Sequence, residues 1–280
     1  MRPRDTKERE MTVNLDAWHP KTELGRMVKN REILDIDQIL GAGKAILEPE
    51  IVDSLLKLEA DLLLIGQAKG KFGGGQRRIF RQTQKKTMEG NKPKFTAMAV
   101  VGDRNGHVGI GLGSAKETLP AREKAVRQAK LNLFKIRRGT GSWQDASSEP
   151  HSIPFMVEGK TGSVVVRLMP APKGKGLVIE KEAAKVLELA GIRNIWSKTY
   201  GQTKNKINFT KALEQALRKL STTRVLPQHT SRLSILEGSA VRTEAEQQAA
   251  IEAAEARAAE KPKPRQRRQP GGGRKGGDRR

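Results

Sequence analysis

The chain has 280 residues, a formal net charge of +23 and no cysteine. The absence of cysteine excludes disulfides, thiol catalysis and cysteine-ligated metal sites, and no apolar run is long enough to predict a membrane span. A positive charge of this size attracts polyanions, chiefly nucleic acid or an anionic membrane.

The positive charge is concentrated in two short segments. Residues 69–94 hold nine basic side chains against one acidic, and residues 261–280 hold the same balance. Residues 1–68 are slightly acidic by contrast, with 10 basic and 13 acidic side chains. Charge concentrated in this way is typical of a contact surface, so both segments are candidate contacts for nucleic-acid phosphates.

The remaining bulk features predict neither a metal nor a cofactor. The four histidines are scattered and lack the spacing of metal ligands. Met1–Asp5 lacks the apolar stretch of a signal peptide, so we expect a cytoplasmic chain with no membrane partner. Only 36% of residues are hydrophobic and 4% aromatic, which favours small domains with polar extensions over one large core.

Residues 1–67 predict an N-terminal extension with amphipathic helices. Helical spacing over Ile33–Leu40 ends at Gly41. Pro49 stands at a favourable first helical position. Apolar residues at helical spacing then predict that this second helix continues through Ile51, Leu55, Leu58 and Leu62.

Residues 68–138 predict a small α/β module that begins with a basic loop. The loop covers Lys69–Asn91, contains three consecutive glycines and carries a single acid, Glu89. Its glycines and its place beside a predicted hairpin favour a phosphate-binding loop over a merely solvated run of charge.

A hairpin and a helix complete this module. An alternating strand over Lys94–Asp103 leads into Asn105-Gly106, which predicts a type I′ turn because both central positions of that turn need positive φ. The return strand covers His107–Leu112. A helix opened by Pro120 turns one apolar face inward, through Ala121, Ala125, Val126, Ala129 and Leu133.

A linker at 139–149 precedes a second β/α unit at 150–222. We expect a hairpin, a basic loop, a helix closed by Gly191, a further strand and a last helix. These elements cover His151–Val157 with Ser163–Met169, Pro170–Gly176, Lys181–Ala190, Ile192–Lys198 and Thr210–Leu220.

Residues 223–280 differ in composition from the rest of the chain. Thr243–Glu260 is rich in helix formers but has one large apolar anchor. Lys261–Arg280 buries too little apolar surface to order alone, which predicts a disordered basic tail. We therefore expect removal of 226–280 to leave folding intact.

The glycines of the return strand suggest a nucleotide-binding alternative. Gly109, Gly111 and Gly113 match half of a dinucleotide fingerprint, but the preceding strand arrives through a hairpin and residues 131–135 hold no carboxylate. The favoured interpretation is that small residues let a helix or an RNA backbone approach the sheet closely. His107 is expected at a strand end or facing RNA.

No catalytic site is predicted. Gly41–Lys44 is similar to a phosphate loop but lacks the loop's serine or threonine and its first glycine. Glu180 and Glu182 begin a helix, where carboxylates favour capping over acid–base chemistry. Trp196 favours core or interface packing, whereas Trp143 is equally compatible with packing and with stacking on a base.

The candidate RNA-binding residues are cations of the basic loops and of the linker. Phosphate contacts from such side chains give affinity with a steep salt dependence and little sequence specificity. The predicted set is Arg77, Arg78, Arg81, Lys85, Lys86, Lys92, Lys94, Arg137, Arg138, Lys173, Lys175, Lys198, Lys204 and Lys206.

Several long motifs occur in a fixed order along the chain. They are WHPKTELGRMVKN at 18–30, FTAMAVVGDRNGHVGIGLG at 95–113, VVVRLMPAPKGKG at 164–176, LELAGI at 187–192 and NFTKA at 208–212. Together, over about residues 15–225, they resemble the small-subunit ribosomal protein S-five family. The first motif resembles the archaeal and eukaryotic branch, and we expect the archaeal type.

The resemblance implies an α+β fold and a structural function without enzymatic activity. It implies a double-stranded-RNA-binding-like module over 68–138 and a β/α domain with a left-handed crossover over 150–222. Members of the family bind small-subunit ribosomal RNA, contact neighbouring ribosomal proteins, help line the messenger RNA entry path and support decoding accuracy. The family's RNA-reaching loop matches Lys85–Lys94 here, whereas Lys69–Gln76 is longer than the family pattern.

The sequence leaves two alternatives open. A double-stranded-RNA binder acting outside the ribosome would bind isolated duplexes tightly and would not co-sediment with small subunits. A phosphotransfer enzyme is the other alternative, because the fold of the second unit also occurs in small-molecule kinases, and it would retain nucleotide through purification.

Overall fold

Helices and mostly antiparallel strands occur in separate groups along the chain, which confirms the expected α+β class. The structure, a computed structural model, describes residues 18–67, 77–145 and 149–239. These residues belong to the first of two units, Met1–Ala240, and each is described within that unit. The glycine-rich stretch at 69–76, the helix-prone segment at 243–260 and the basic segment at 261–280 lie outside the described residues.

The N-terminal part forms three short helices. α1 covers Glu23–Lys29, α2 covers Ile36–Gly41 and α3 covers Pro49–Leu55. Their buried side chains form one apolar cluster together with Leu133. This contact joins the extension to the part of the chain that follows it.

The predicted second helix is too long. α3 ends at Leu55 because Leu56 takes extended backbone angles, φ −128° and ψ 141°. Leu58 lies in a connection, and Leu62 lies in strand β1, Glu59–Leu62. Antiparallel pairing of β1 with a longer strand satisfies backbone groups that a further helical turn would otherwise have used.

The first sheet contains β1 and four further strands. β2 covers Arg81–Thr87, β3 covers Gly90–Gly102, β4 covers His107–Ala115 and β5 covers Leu133–Lys135. The order across the sheet is β1, β3, β4, β5, while β2 pairs with the N-terminal half of β3. β3 therefore starts earlier than the predicted strand and forms a hairpin with residues that were expected in a loop.

Helix α4, Thr118–Leu131, packs closely on this sheet through three buried alanines. A Cβ atom at Gly109, Gly111 or Gly113 of β4 would collide with the α4 backbone. The interpretation that these glycines let a helix approach the sheet is confirmed. Because β3 and β4 are antiparallel, the segment also lacks the parallel βαβ unit of a dinucleotide site.

Residues 103–106 connect β3 to β4 in a longer loop than predicted. Positive φ occurs at Arg104, 61°, and at Gly106, 104°, but not at Asn105, so the predicted type I′ turn is wrong. Asp103 closes the loop instead. Its Oδ1 accepts hydrogen bonds from the backbone N–H groups of Asn105 and of the first residue of β4.

After the short strand β6, Arg137–Arg138, the chain forms a second sheet of four strands. These strands, β7 to β10, cover Val157–Thr161, Val164–Pro170, Leu177–Val178 and Ile195–Tyr200. Their order across the sheet is β7, β8, β10, β9. β10 is antiparallel to β8 and parallel to β9.

Two helices pack on the second sheet. α5 covers Lys181–Leu189 and ends as predicted, with Gly191 at φ 81°. α6 covers Lys206–Thr222 and so begins before the predicted Thr210. The strand predicted from His151 starts only at Val157, because the backbone at 151–152 bonds to Gly139 and to residues 193 and 194 instead of to a ladder.

The C-terminal end of the described chain packs against the rest. Helix α7 covers Pro227–Arg232, and strand β11, Leu236–Glu237, pairs antiparallel with β6. The backbone N–H of Thr140 donates to the carbonyl oxygen of Leu233 at 2.9 Å. These contacts count against the expectation that residues 226–280 can be removed without effect on folding, as far as residues 227–239 are concerned.

The two sheets share one apolar core. Its buried members come from β3, β4, β8, α5 and α6 and include Met98, Val100, Ile110, Val166, Leu187 and Leu213. Glu182 adds a polar link, because its buried carboxylate accepts a hydrogen bond of 2.8 Å from the backbone N–H of Leu64. This contact, and not capping of its own helix, accounts for the position of Glu182.

Candidate nucleic-acid interface

β2 and the first half of β3 form an exposed hairpin over residues 81–96, called the arm below. Nearly all its residues are exposed, and Met88 at its tip is fully exposed. The seven residues of β2 span about 20 Å at the usual rise of a strand. The segment Lys85–Lys94 is thus a pair of strands with a tight turn, and its prediction as a loop is wrong.

The register of the arm brings most of its cations onto one face. Residues directly opposite each other in an antiparallel pair share a face, and so do alternate residues of one strand. Lys85 lies opposite Lys92 and Thr83 lies opposite Lys94, whereas Lys86 belongs to the other face. The cations of the charged face are Arg81, Lys85, Lys92 and Lys94.

The charged face of the arm is electrostatically unfavourable in the protein alone. Lys85 and Lys92 are directly opposite, and like charges in that position destabilise a strand pair. The arm has one acid, Glu89, whose carboxylate lies 2.6 Å from Lys92 Nζ. Both side chains are mostly exposed, so this ion pair contributes little stability. A phosphate at the charged face would remove the repulsion that remains.

The base of the arm lies beside the second sheet. Arg77 Nη2 donates a 3.1 Å hydrogen bond to the carbonyl oxygen of Lys204, in the connection between β10 and α6. Arg78 is exposed next to it. Arg77 and Arg78 of the first module are thereby brought close to Lys204 of the second.

The other candidate lysines of the second sheet differ in their surroundings. Lys175 and Lys198 are exposed. Lys173 Nζ lies 2.8 Å from Glu149 at an exposed site. Lys206 is half-buried, and its Nζ lies 2.9 Å from Glu180 Oε1. Lys206 is therefore held by the protein more firmly than the other three.

Arg137 and Arg138 point into the protein. Arg138 is only 7% exposed and donates to the carbonyl oxygens of Asn105, at 2.9 Å, and Gly238, at 3.3 Å. Arg137 Nε donates to Glu237 at 3.2 Å. Both side chains hold the C-terminal segment, and their contact with RNA stays a prediction.

His107 does not face RNA, because its side chain is completely buried. Its Nδ1 lies 2.6 Å from Asp103 Oδ2, and its Nε2 lies 3.0 Å from Asp37 Oδ1. Burial alone would lower the pKa of His107, but hydrogen bonds to both carboxylates and their charges outweigh it and raise that pKa to about 9. The imidazole is therefore a cation at neutral pH.

The two carboxylates complete this cluster. Burial alone would raise the pKa of Asp37 and of Asp103, but hydrogen bonds and attraction to His107 lower both. Asp37 also accepts hydrogen bonds from the backbone N–H and the hydroxyl of Ser239, at 3.3 and 3.2 Å. The cluster thus joins α2, the 103–106 loop and the C-terminal segment, and it serves folding.

The described residues show no metal cluster of His, Asp or Glu side chains. None of the helices in those residues is both long and apolar enough to cross a membrane.

The two candidate tryptophans differ in exposure. Trp143 is 89% exposed, which fits its stacking interpretation, and Trp196 is half-buried on β10. The arm, by comparison, carries five cations against one acid over residues 81–96.

Two family models match the chain in separate segments. "Ribosomal protein S5, N-terminal domain" matches residues 79–137, and "Ribosomal protein S5, C-terminal domain" matches residues 159–230. The small ribosomal subunit protein uS5 of Nanoarchaeum equitans is 50% identical over 216 residues, which are 77% of this chain and 93% of that relative. The chain belongs to the uS5 family.

Other archaeal uS5 proteins are similar over almost their whole length. The protein of Methanocaldococcus jannaschii is 45% identical over 229 residues, 81% of this chain and 99% of the relative. That of Pyrobaculum aerophilum is 46% identical over 207 residues, 74% of this chain and 88% of the relative. As a uS5 protein the chain is a structural protein of the small ribosomal subunit and not an enzyme.

Proposed function

We propose that the protein binds small-subunit ribosomal RNA through the charged face of the arm. The observation that carries this proposal is the register of β2 and β3, which places four cations on one exposed face with two lysines directly opposite each other. Lysine and arginine contacts to phosphates supply affinity without sequence specificity, as a structural RNA-binding protein requires.

The family supports the finer parts of the proposal. We infer that the protein contacts neighbouring small-subunit ribosomal proteins and messenger RNA near the entry channel, acts in the cytoplasm and supports decoding accuracy. Membership in uS5 and the sequence motifs support these assignments. Exposed Arg78, Lys175, Lys198 and Lys204 are proposed as further RNA contacts.

We also propose the domain organisation that the motifs imply. A double-stranded-RNA-binding-like domain at 68–138 and a β/α domain with a left-handed crossover at 150–222 are joined by a linker at 139–149. An extension at 1–67 and a segment at 223–280 flank them. The two separate family matches support the two central domains. The first sheet begins earlier than residue 68, with β1 at Glu59–Leu62.

Neutralising the charged face should flatten the salt dependence of RNA binding. The variant carries Arg81→Gln, Lys85→Gln, Lys92→Gln and Lys94→Gln, and the probe is a duplex segment of small-subunit ribosomal RNA. Each lost phosphate contact reduces the magnitude of the negative slope of log affinity against log salt by about 0.9. For four lost contacts we expect the slope to become shallower by about three to four. Filter binding over a salt series measures it.

Lys86→Gln is a matched control for Lys85→Gln, because the two lysines are adjacent on β2 but on opposite faces. We expect Lys85→Gln to change the slope and Lys86→Gln to leave it nearly unchanged. An unchanged slope in the four-site variant would contradict RNA binding by the arm. Equal effects of Lys85→Gln and Lys86→Gln would contradict the assignment to one face.

A further inference from the structure

The second sheet has a face that neither of its two helices covers. The covered face is marked by Gly159, where a Cβ atom would collide with α6, and by buried Val166 and Leu168. Leu177 of β9 and Ile195 of β10 belong to the same core. Because side chains alternate along a strand, the intervening residues of β7 to β10 occupy the opposite, outer face.

The register arranges the outer face in three rows across the strands. Opposite positions are Lys198 with Arg167, Trp196 with Met169 and with Val178, and Tyr200 with Val165. On the edge strand, Glu158 lies opposite Arg167 and Lys160 lies opposite Val165. The rows are Met169, Trp196 and Val178; Glu158, Arg167 and Lys198; and Lys160, Val165 and Tyr200.

One strand of this face alternates aromatic and cationic side chains. Trp196, Lys198 and Tyr200 all project from the outer face of β10. Tyr200 is 41% exposed, and its ring centroid lies 5.8 Å from both Arg167 Cζ and Lys198 Nζ. An exposed aromatic ring with cations beside it offers a stacking surface for a base and charge for the adjoining phosphates.

We propose that the outer face of the second sheet binds unpaired RNA nucleotides, with one base stacked on Tyr200 and flanking phosphates at Lys198 and Lys160. This proposal rests on the proposed function, because it assigns a second RNA site to a protein that binds ribosomal RNA through the arm. The two sites differ in chemistry: the arm offers only cations, whereas this face adds aromatic rings.

The charge of the outer face favours RNA over a protein partner. Three cations stand against one acid, and that acid, Glu158, is already paired with Arg167 at 2.9 Å. Lys160 and Lys198 are both exposed. The apolar row beside them is completed at its edge by exposed Val178, which gives riboses and bases a surface to pack on.

Substitution of Tyr200 separates stacking from charge. The probe is a short labelled single-stranded RNA that contains 4-thiouridine, measured with unlabelled duplex RNA in excess to occupy the arm. For the full-length chain with Tyr200→Leu we expect about ten-fold weaker binding and an unchanged salt slope, because a base contact is lost and no phosphate contact. Tyr200→Phe retains the ring and should retain the affinity.

Lys198→Gln removes a phosphate contact and no base contact. It should therefore reduce the magnitude of the salt slope by about 0.7, the value for one phosphate contact of a single strand. Photocrosslinks should map to the peptide that contains Trp196 and Tyr200. Equal affinities of Tyr200→Leu and Tyr200→Phe, or crosslinks confined to other peptides, would overturn the proposal. The partner of this face would then be a protein. If the four-site variant of the arm still bound duplex RNA as well as the native chain, that result would count against the proposed function of the arm and not against this second site.

Discussion

Replacing His107 with alanine is expected to lower the free energy of unfolding by about 3–5 kcal/mol, the usual cost of removing one partner from a buried ion cluster. The substitution leaves Asp37 and Asp103 close together without the cation between them. Chemical denaturation at pH 7 measures the loss. His19→Ala is the matched control at an exposed histidine and should change stability by less than about 0.5 kcal/mol.

The part of the His107 effect that depends on its charge should be lost at high pH. Its pKa is raised from 6.5 to about 9 in the folded protein. The stabilisation is therefore complete below about pH 6.5 and is lost as the pH rises through about 9; a shift of this size corresponds to about 3 kcal/mol. The stability gap between the native chain and His107→Ala should narrow accordingly. A gap that stays constant from pH 6 to about pH 10 would show that His107 is neutral in the fold.

Removal of residues 227–239 should destabilise the protein by at least about 3 kcal/mol. This segment supplies β11, which pairs with β6, and the Gly238 carbonyl, which accepts a hydrogen bond from buried Arg138. It also supplies the carboxylate of Glu237, which lies 3.1 Å from Lys135 Nζ. Without the segment the Arg138 guanidinium keeps its charge but loses a partner.

Two truncated chains isolate this contribution. One ends at Ser239 and the other ends at Leu226, so they differ only in the segment that packs. Thermal unfolding followed by circular dichroism should give a clearly lower midpoint for the shorter chain. Equal midpoints would mean that β11 and its ion pairs add nothing to the stability of the fold.

Local patterns were sufficient for much of the architecture. The alternation over Lys94–Asp103 predicted the central strand, Pro49 marked the start of α3, and Gly191 marked the end of α5. The small residues of β4 predicted the close approach of a helix. These features depend on neighbours in sequence, through side-chain periodicity or backbone angles, and can be recognised without knowledge of the tertiary fold.

The arm was missed because its strands have no buried face. Strand prediction relies on apolar residues at every second position, whereas all seven residues of β2 are polar. The available signal was weaker: Thr83 and Thr87 favour a strand, and Glu89-Gly90 favours a turn. Once the pairing is known, the cations that seemed scattered in sequence fall on one face.

The cluster at His107 depends on contacts that local sequence does not contain. Asp103 precedes His107 by only four residues, so their contact could have been predicted from the local sequence. Asp37 and Ser239 are distant in sequence and meet the ring only after α2 and the C-terminal segment have packed. For the same reason the burial of Arg138 and the link from Glu182 to Leu64 were not foreseen.

The most direct test of the account is co-sedimentation with archaeal small ribosomal subunits from which the resident uS5 has been stripped. The full-length chain should move with the subunits in a sucrose gradient at moderate salt. The variant with glutamine at Arg81, Lys85, Lys92 and Lys94, if its thermal unfolding is unchanged, should dissociate at a much lower salt concentration. A folded variant that stays bound as well as the native chain would contradict the assignment of RNA binding to the arm.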